Sequence, residues 1–397
     1  MSALLPSRGL AELWRNDRRS LLHELLLLLI GLGFLFPNEP TWSDLFYVGI
    51  MPLFCWSVWK GDFRSAVANW PGPLVAGEAL IGVFLVSILL NTHSVSMLGL
   101  SFFWIWNVLC TGLFVFLLTD AFAMTRAFRQ RLMQVMIGCG VVNVCIALAK
   151  LCFVPLEWQG DVLRMQGWGL TRHPILGAII MGSVLLMAVH RALSTAQRRY
   201  WVAALVTLGF IVLTGSRGPL LSVLAGLVVL IGMRRPQLML LFTLAALVLG
   251  TGIWFLDGGV LSQIVREQFA RGDSHRFRIW ALSWQHIEQA FWLGHGPTWK
   301  LALPGETFPH NLLLSTWLYA GFIGVLALLA YLCTVLKSLF TVPDYDQERP
   351  LCLAVLTHTL LSAMTDFGQV IKGPAPMWYI FWLATLFAAH ISARRQA

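Results

Sequence analysis

The chain has 397 residues, of which 57% are hydrophobic and only 12% charged, whereas soluble globular chains carry about 25% charge. That excludes a water-soluble enzyme, an acidic disordered protein and a secreted disulfide scaffold. The net charge of +9 comes from basic residues set between apolar blocks, so membrane topology rather than nucleic acid accounts for most of it.

Residues 1–20 hold Arg8, Arg15, Arg18 and Arg19 beside Glu12 and Asp17, with no small-residue cleavage site after a short apolar core, so no signal peptide is expected. Apolar runs then alternate with polar or Pro/Gly breaks. They predict spans at 21–36, 44–59, 74–90, 97–119, 132–154, 175–191, 200–214, 218–233, 237–256, 312–337, 351–365 and 377–391, each near the length that crosses a bilayer core. The expected fold is therefore an all-α polytopic membrane protein of about twelve transmembrane helices. Residues 1–256 supply helices 1–9, residues 257–311 a large loop, and residues 312–397 helices 10–12. Cys55, Cys110, Cys139, Cys145, Cys152, Cys333 and Cys352 lie within or beside apolar segments without a CxxC pair, and read as small hydrophobes rather than disulfides or metal ligands.

An even number of spans puts both termini on one face, and that face holds most of the Lys and Arg, which makes it cytoplasmic. On the opposite face the loops at 37–43 and 92–96 hold no Lys or Arg. Basic residues there cluster instead as Arg164 and Arg172, Arg217, Arg266, Arg271, Arg276, Arg278 and Lys300, and Lys372. Long loops escape the charge rule, but the tight turn holding Arg217 has no such length, so an anionic ligand is the expected reason.

The 257–311 segment is too long for a plain connection. Within it Phe277, Trp280, Trp284, Ile287 and Phe291 recur at spacings of 3 and 4, one apolar stripe of a helix with Gln285, His286, Glu288 and Gln289 mostly opposite. Such a helix suits the headgroup level or the side of the bundle. Arg276 and Arg278 flank Phe277 by about 100° on either side, so at most one aims squarely at a shared ligand; both snorkelling beside headgroups is the bland alternative. His310 and Asn311 sit where the chain leaves the aqueous face for a span, and a histidine there can exchange a proton near neutral pH or merely cap the helix. In Gly215-Ser216-Arg217-Gly218 the guanidinium is held at the membrane surface, suited to a bidentate grip on phosphate. Outer carboxylates (Glu157, Asp161, Asp257, Glu267, Asp273, Glu306, Asp366) are dispersed, and there is no Walker loop, GxGxxG turn or HExxH. No cofactor is expected, and arginines rather than a metal are expected to neutralise a diphosphate.

These residues resemble the O-antigen ligase and polymerase superfamily. HNLLLSTWLYAG (310–321) matches the HNxxLxxxxxxG pattern at His310, Asn311, Leu314 and Gly321. TGSRG (214–218) resembles the short SRG turn, and RFRIW (276–280) the R-x-x-x-W element, which selects Arg276 over Arg278. RMQGWGLTRHPILGA (164–178) is similar to the Arg-rich lead into an earlier span, although His173-Pro174-Ile175 departs from the Asn-containing form. The matches run from 164 to 321, and the first 160 residues match only as a row of spans.

The resemblance implies a glycosyltransferase of the bacterial inner membrane with a periplasmic site, moving a glycan from undecaprenyl diphosphate to an acceptor hydroxyl. His310 would be general base, with Arg217 and Arg276 on the diphosphate; Arg278, Arg164, Arg172, Asn311, Asp366 and Lys372 are further substrate-binding candidates. The chain's compact length favours a ligase using lipid A-core over a polymerase joining lipid-linked repeats. A transporter of anionic solutes is the reading from another class, since Glu24, Glu78, Lys150, His190 and His358 lie in or at the ends of spans. They form no evident midplane set, and structural pairing is expected for each. Asp366 and Lys372 read first as ordinary loop charges, and Trp42, Trp158 and Trp168 as interfacial belt rather than sugar platforms.

Overall fold

The computed structural model describes residues 17–64, 70–94, 97–124, 126–153, 157–159, 162–237, 276–301, 307–341 and 347–389. The expected span at 237–256 and the loop up to 275, with Arg266 and Arg271, lie outside them. In chain order the helices are α1 (Arg18–Leu32), α2 (Glu39–Leu45) joined by a π turn to α3 (Met51–Trp59), α4 (Gly72–Leu90), α5 (Leu98–Met124) and α6 (Arg126–Leu151). They continue with α7 (Pro174–Thr195), α8 (Arg198–Leu213), α9 (Arg217–Arg234), α10 (Arg276–Gln289), α11 (Leu312–Thr341), α12 (Arg349–Ala363) and a π turn at Trp378–Leu383 leading into α13 (Ala384–Ala388). Each apolar block within the described residues thus folds as helix. Six of them (α4, α5, α6, α7, α9 and α11) are long and apolar enough to cross a membrane, and the chain is a multi-pass membrane protein. One small correction to the all-α expectation is an antiparallel hairpin, β1 (Glu157–Gln159) with β2 (Val162–Arg164), which pairs Glu157 with Arg164.

Helix ends carry the charges that lipid would reject. At one end of the bundle Arg18 pairs with Asp62 at 2.9 Å, Arg129 with Glu348 at 2.7 Å, Arg19 with Asp120, and Arg131 with Glu24. The last is the structural pairing expected for Glu24.

α7 lies deepest, 83% of its apolar window being buried, and it packs against α8, α9 and α12. Association inside a membrane gains little from hydrophobicity and relies on close packing and interhelical hydrogen bonds. Here His358 of α12 donates from Nε2 to the Ile179 carbonyl of α7 (2.9 Å), which leaves Nδ1 to accept from the Ser222 hydroxyl of α9 (3.0 Å), itself 2.6 Å from the Ser362 hydroxyl. His358 is therefore a neutral interhelical link. The network locks the beginning of α9 to the end of α12, and so fixes Arg217 relative to the segment that follows α12.

That segment, residues 364–377, has no helical hydrogen bonds of its own to satisfy it at membrane depth, and side chains from neighbouring elements supply them, as buried irregular backbone requires. Asn311 donates to the Met364 carbonyl (2.9 Å), Thr111 to Ile371 (3.1 Å) and Trp382 to Val370 (2.6 Å), while Asn107 accepts from the Gly373 amide (3.0 Å). Trp378 then stacks on Phe114 (4.3 Å between centroids, 14° between planes) with Trp42 against its edge. Every residue from Trp378 to Ala388 is buried. Trp42, expected at the interface, is a core residue 1% exposed, its indole donating to the Leu29 carbonyl. Trp168 is half-buried and ties its loop to the Leu35 carbonyl; the Trp158 side chain is outside the described residues.

Candidate active site

α11 is not one continuous helix. Gly321 has φ 67° and ψ −171°, a region essentially restricted to glycine, and it divides the apolar run of 312–337 in two. The segment after α10 inserts at the break. His295 and Gly296 amides donate to the Leu318 and Tyr319 carbonyls (2.8 and 3.0 Å), and the Phe322 amide donates to Phe291 (2.8 Å). The Ser87 hydroxyl of α4 donates to the Tyr319 carbonyl at 2.6 Å. The groups freed by the broken helix are therefore paired with the loop, and α10 is clamped to the start of α11.

On α10, Arg276 and Trp280 are four residues apart and share a face. Arg276 donates from Nη2 to Asp366 Oδ1 at 2.5 Å, and Trp280 donates from its indole to the Pro309 carbonyl at 3.1 Å. The next residue, His310, has φ 55°, a left-handed conformation that costs about 1–3 kcal/mol in a non-glycine residue and persists only where its surroundings impose it. They do so here: Pro309 is held by Trp280 on one side, while Asn311 on the other caps α11 by accepting from the Leu314 amide (3.1 Å) and reaches Met364. The His310 ring rests against Phe308, 4.2 Å between centroids.

His310, Asp366 and Lys372 line one cavity of about 590 Å³, which has aromatic and aliphatic walls from Phe103, Trp104, Trp299 and Tyr319. Asp366 is 6% exposed. Burial pushes its carboxyl above the usual range, with Arg276 and His310 pulling it back. The first turn of α9 also reaches it: a Cβ on Gly218 would stand 3.0 Å from Thr365 Oγ1 and 3.3 Å from Asp366 Oδ2. Glycine thereby lets the positive end of the α9 dipole approach the carboxylate, and places Arg217 beside it. Arg217 and Arg276 are not in this cavity's wall; they meet it through Asp366.

The structure thus brings Arg217, Arg276, Asp366 and His310 together from three distant stretches of chain. Arg164, half-buried at the end of β2, and His173 also lie within their electrostatic reach. Burial lowers the His173 pKa, Asp366 opposes that, and Arg164 and His310 add to it. Arg278 lies on the exposed side of α10, and Asn311 is committed to capping and to Met364, so neither is placed as a substrate contact. Arg172 belongs to a second, adjoining cavity. Lys372 is exposed at the first cavity's wall. Asp366, expected as an ordinary loop charge, is buried at the centre of the cluster.

Three further features depart from the sequence expectation. The buried face of α10 is Ile279, Ser283 and Ile287, while Phe277 (70% exposed) and Trp284 (41%) of the expected stripe turn outward. The aromatic wall from α5 comes from Phe102-Phe103-Trp104, whose only sequence signal is an aromatic cluster at the start of a span. The His173 position was visible only as a departure from a motif. Among the described residues no group of three His, Cys, Asp or Glu is placed to hold a metal ion.

The family model described as O-antigen ligase matches residues 202–329, a stretch that holds Arg217, Arg276, His310 and Gly321 and stops short of Asp366. The chain is also similar to the O-antigen ligase of Pseudomonas aeruginosa, 28% identical over 261 residues, which span 60% of this chain and 60% of that protein.

Proposed function

We propose, for a chain that belongs with the O-antigen ligase superfamily, that it is an inverting, metal-independent glycosyltransferase of the bacterial inner membrane. In this reading twelve spans put both termini in the cytoplasm, and the site faces the periplasm. The donor is a glycan on undecaprenyl diphosphate and the acceptor a hydroxyl of lipid A-core. The observation that carries the reading is the convergence of Arg217, Arg276, Asp366 and His310 beside one apolar-walled cavity.

Nucleotide sugars stay in the cytoplasm, so transfer outside it needs a lipid-borne donor whose reacting bond lies at the headgroup plane. Departure of the polyprenyl diphosphate builds negative charge on its oxygens. Fixed guanidinium groups stabilise that charge, each good donor being worth about 3–4 kcal/mol by analogy with oxyanion holes. Asp366 orients Arg276 for this task. His310 takes the proton of the acceptor hydroxyl as its oxygen attacks the anomeric carbon, and attack opposite the leaving group inverts that centre.

The test is reconstitution of purified protein with defined lipid-linked glycan and lipid A-core, with and without chelator. Chelator-resistant formation of glycosylated lipid A-core with an inverted linkage is expected. Joining of lipid-linked repeats without use of lipid A-core would make the protein a polymerase, and solute flux without product a transporter.

A further inference from the structure

A second cavity, of about 560 Å³, adjoins the one that holds His310. Its lining includes Asn38, Glu39, Gln166 and Arg172, with the flat faces of Pro40 and Pro376. His173 and Leu176 line both cavities, so the two share a wall beside the reactive cluster.

The second lining differs in chemistry from the first. It has no aromatic side chain, and it mixes one carboxylate, one guanidinium and two carboxamides, which together offer both donors and acceptors. A lipid tail has no use for that mixture, and a diphosphate would be repelled by Glu39. A polyhydroxylated ring is suited by it, because each hydroxyl both donates and accepts, and the proline faces fit the apolar side of the ring. Several of these groups are held in place by the fold. Asn38 spends its Oδ1 capping α2 at the Thr41 amide (2.9 Å), which fixes the amide's orientation. His173 begins α7, accepting at Nδ1 from the Leu176 amide in a long 3.5 Å bond, so the neutral ring carries its proton on Nε2. Lys372, at the wall of the first cavity, reaches Glu39 of the second electrostatically.

Resting on the transfer reaction proposed above, we infer that this second cavity is the acceptor subsite: it takes a sugar unit of the acceptor glycan, gripped by Glu39, Gln166 and Arg172, and presents its hydroxyl past His173 to His310. His173 is then a specificity-determining residue at the passage between the two substrates. A proton moves only from the acceptor hydroxyl to His310, and the C–O bond that forms replaces the one broken to the diphosphate.

Binding and turnover test this separately. Deacylated lipid A-core oligosaccharide is titrated into the full detergent-solubilised chain, with binding read by saturation-transfer NMR. Arg172→Ala and Glu39→Gln are expected to weaken binding at least tenfold, and His310→Ala to leave it unchanged. In the reconstituted reaction the same two variants raise KM for the acceptor at least tenfold with KM for the lipid-linked donor unchanged. His173→Asn alters the preference among acceptor sugars without abolishing kcat. Absence of oligosaccharide binding to the wild type, unaltered binding by both cavity variants, or an effect on donor KM alone overturns the assignment. If the oligosaccharide binds here while the wild type forms no product, the subsite stands and the transfer reading falls.

Discussion

Replacing Gly321 by alanine probes whether the broken helix assembles the site. At φ 67° and ψ −171° a residue with a Cβ carries about 1–3 kcal/mol of backbone strain, and the new methyl would overlap the Trp292 carbonyl and the Leu293 amide. Relief requires the 290–296 segment to move away, which sacrifices the Phe322 amide bond to Phe291 (2.8 Å) and the Gly296 amide bond to Tyr319 (3.0 Å), each worth about 0.5–1.5 kcal/mol. The expected destabilisation is about 2–5 kcal/mol. Because that segment follows α10 directly, its displacement carries Arg276 and Trp280 with it. A misplacement of about 1 Å costs about 10²-fold in rate. The assay pairs thermal unfolding in nanodiscs with turnover of the reconstituted protein. A lowered midpoint and a turnover loss near 10²-fold are expected, and Gly321→Ser should behave likewise. A Gly321→Ala protein with wild-type midpoint and wild-type turnover would refute the claim that this kink holds the loop and the site together.

His310→Ala should abolish transfer at normal membrane insertion, whereas His310→Gly should be equally inactive yet more stable than His310→Ala by about 1 kcal/mol, since glycine accepts φ 55° without strain; equal midpoints for the two would contradict the strain. Arg217→Lys should lose about 10²–10³ in kcat because a point charge cannot replace a planar fork, while Arg278→Ala, on the exposed side of α10, should retain wild-type turnover; the reverse pattern in a kinetic comparison would reassign the clamp. Trp280→Phe removes one hydrogen bond to the Pro309 carbonyl, about 1 kcal/mol, and should lower kcat more than either KM. Asp366 has a raised folded pKa, so the folded state binds its proton more tightly than the unfolded state, and stability falls as pH rises through and above the ordinary value of 3.8. Asp366→Asn should flatten that slope in pH-dependent unfolding, and an unchanged slope would locate it elsewhere.

Helices were legible because the apolar blocks are long and cleanly bounded, and every block within the described residues is helical. The interruption at Gly321 was not, because Ala-Gly-Phe-Ile-Gly inside an apolar run gives no polar signal; the cause is a backbone docking from thirty residues upstream. On α10 the periodic pattern named the bulkiest stripe as one face, yet Ile279, Ser283 and Ile287 are the buried ones. Bulky aromatics at a headgroup boundary need not turn inward to be satisfied. Arg276, rather than Arg278, meets Asp366 because only its side of the helix faces the bundle. Asp366 itself was read as a loop charge since sequence spacing says nothing of how deeply a loop is drawn in by side chains such as Asn107 and Thr111.

The stretch from Trp378 to Ala388, buried on all sides, bears on how the protein is made. Synthesis runs from the N-terminus, so α5 and α6 emerge long before the tryptophan that stacks on Phe114. Until this late pillar slides between its neighbours, the 364–377 backbone lacks its Trp382 partner and Asp366 has no firm seat. The reactive groups therefore come into alignment only at the end of biogenesis, which keeps a half-inserted chain from performing chemistry on the lipids around it.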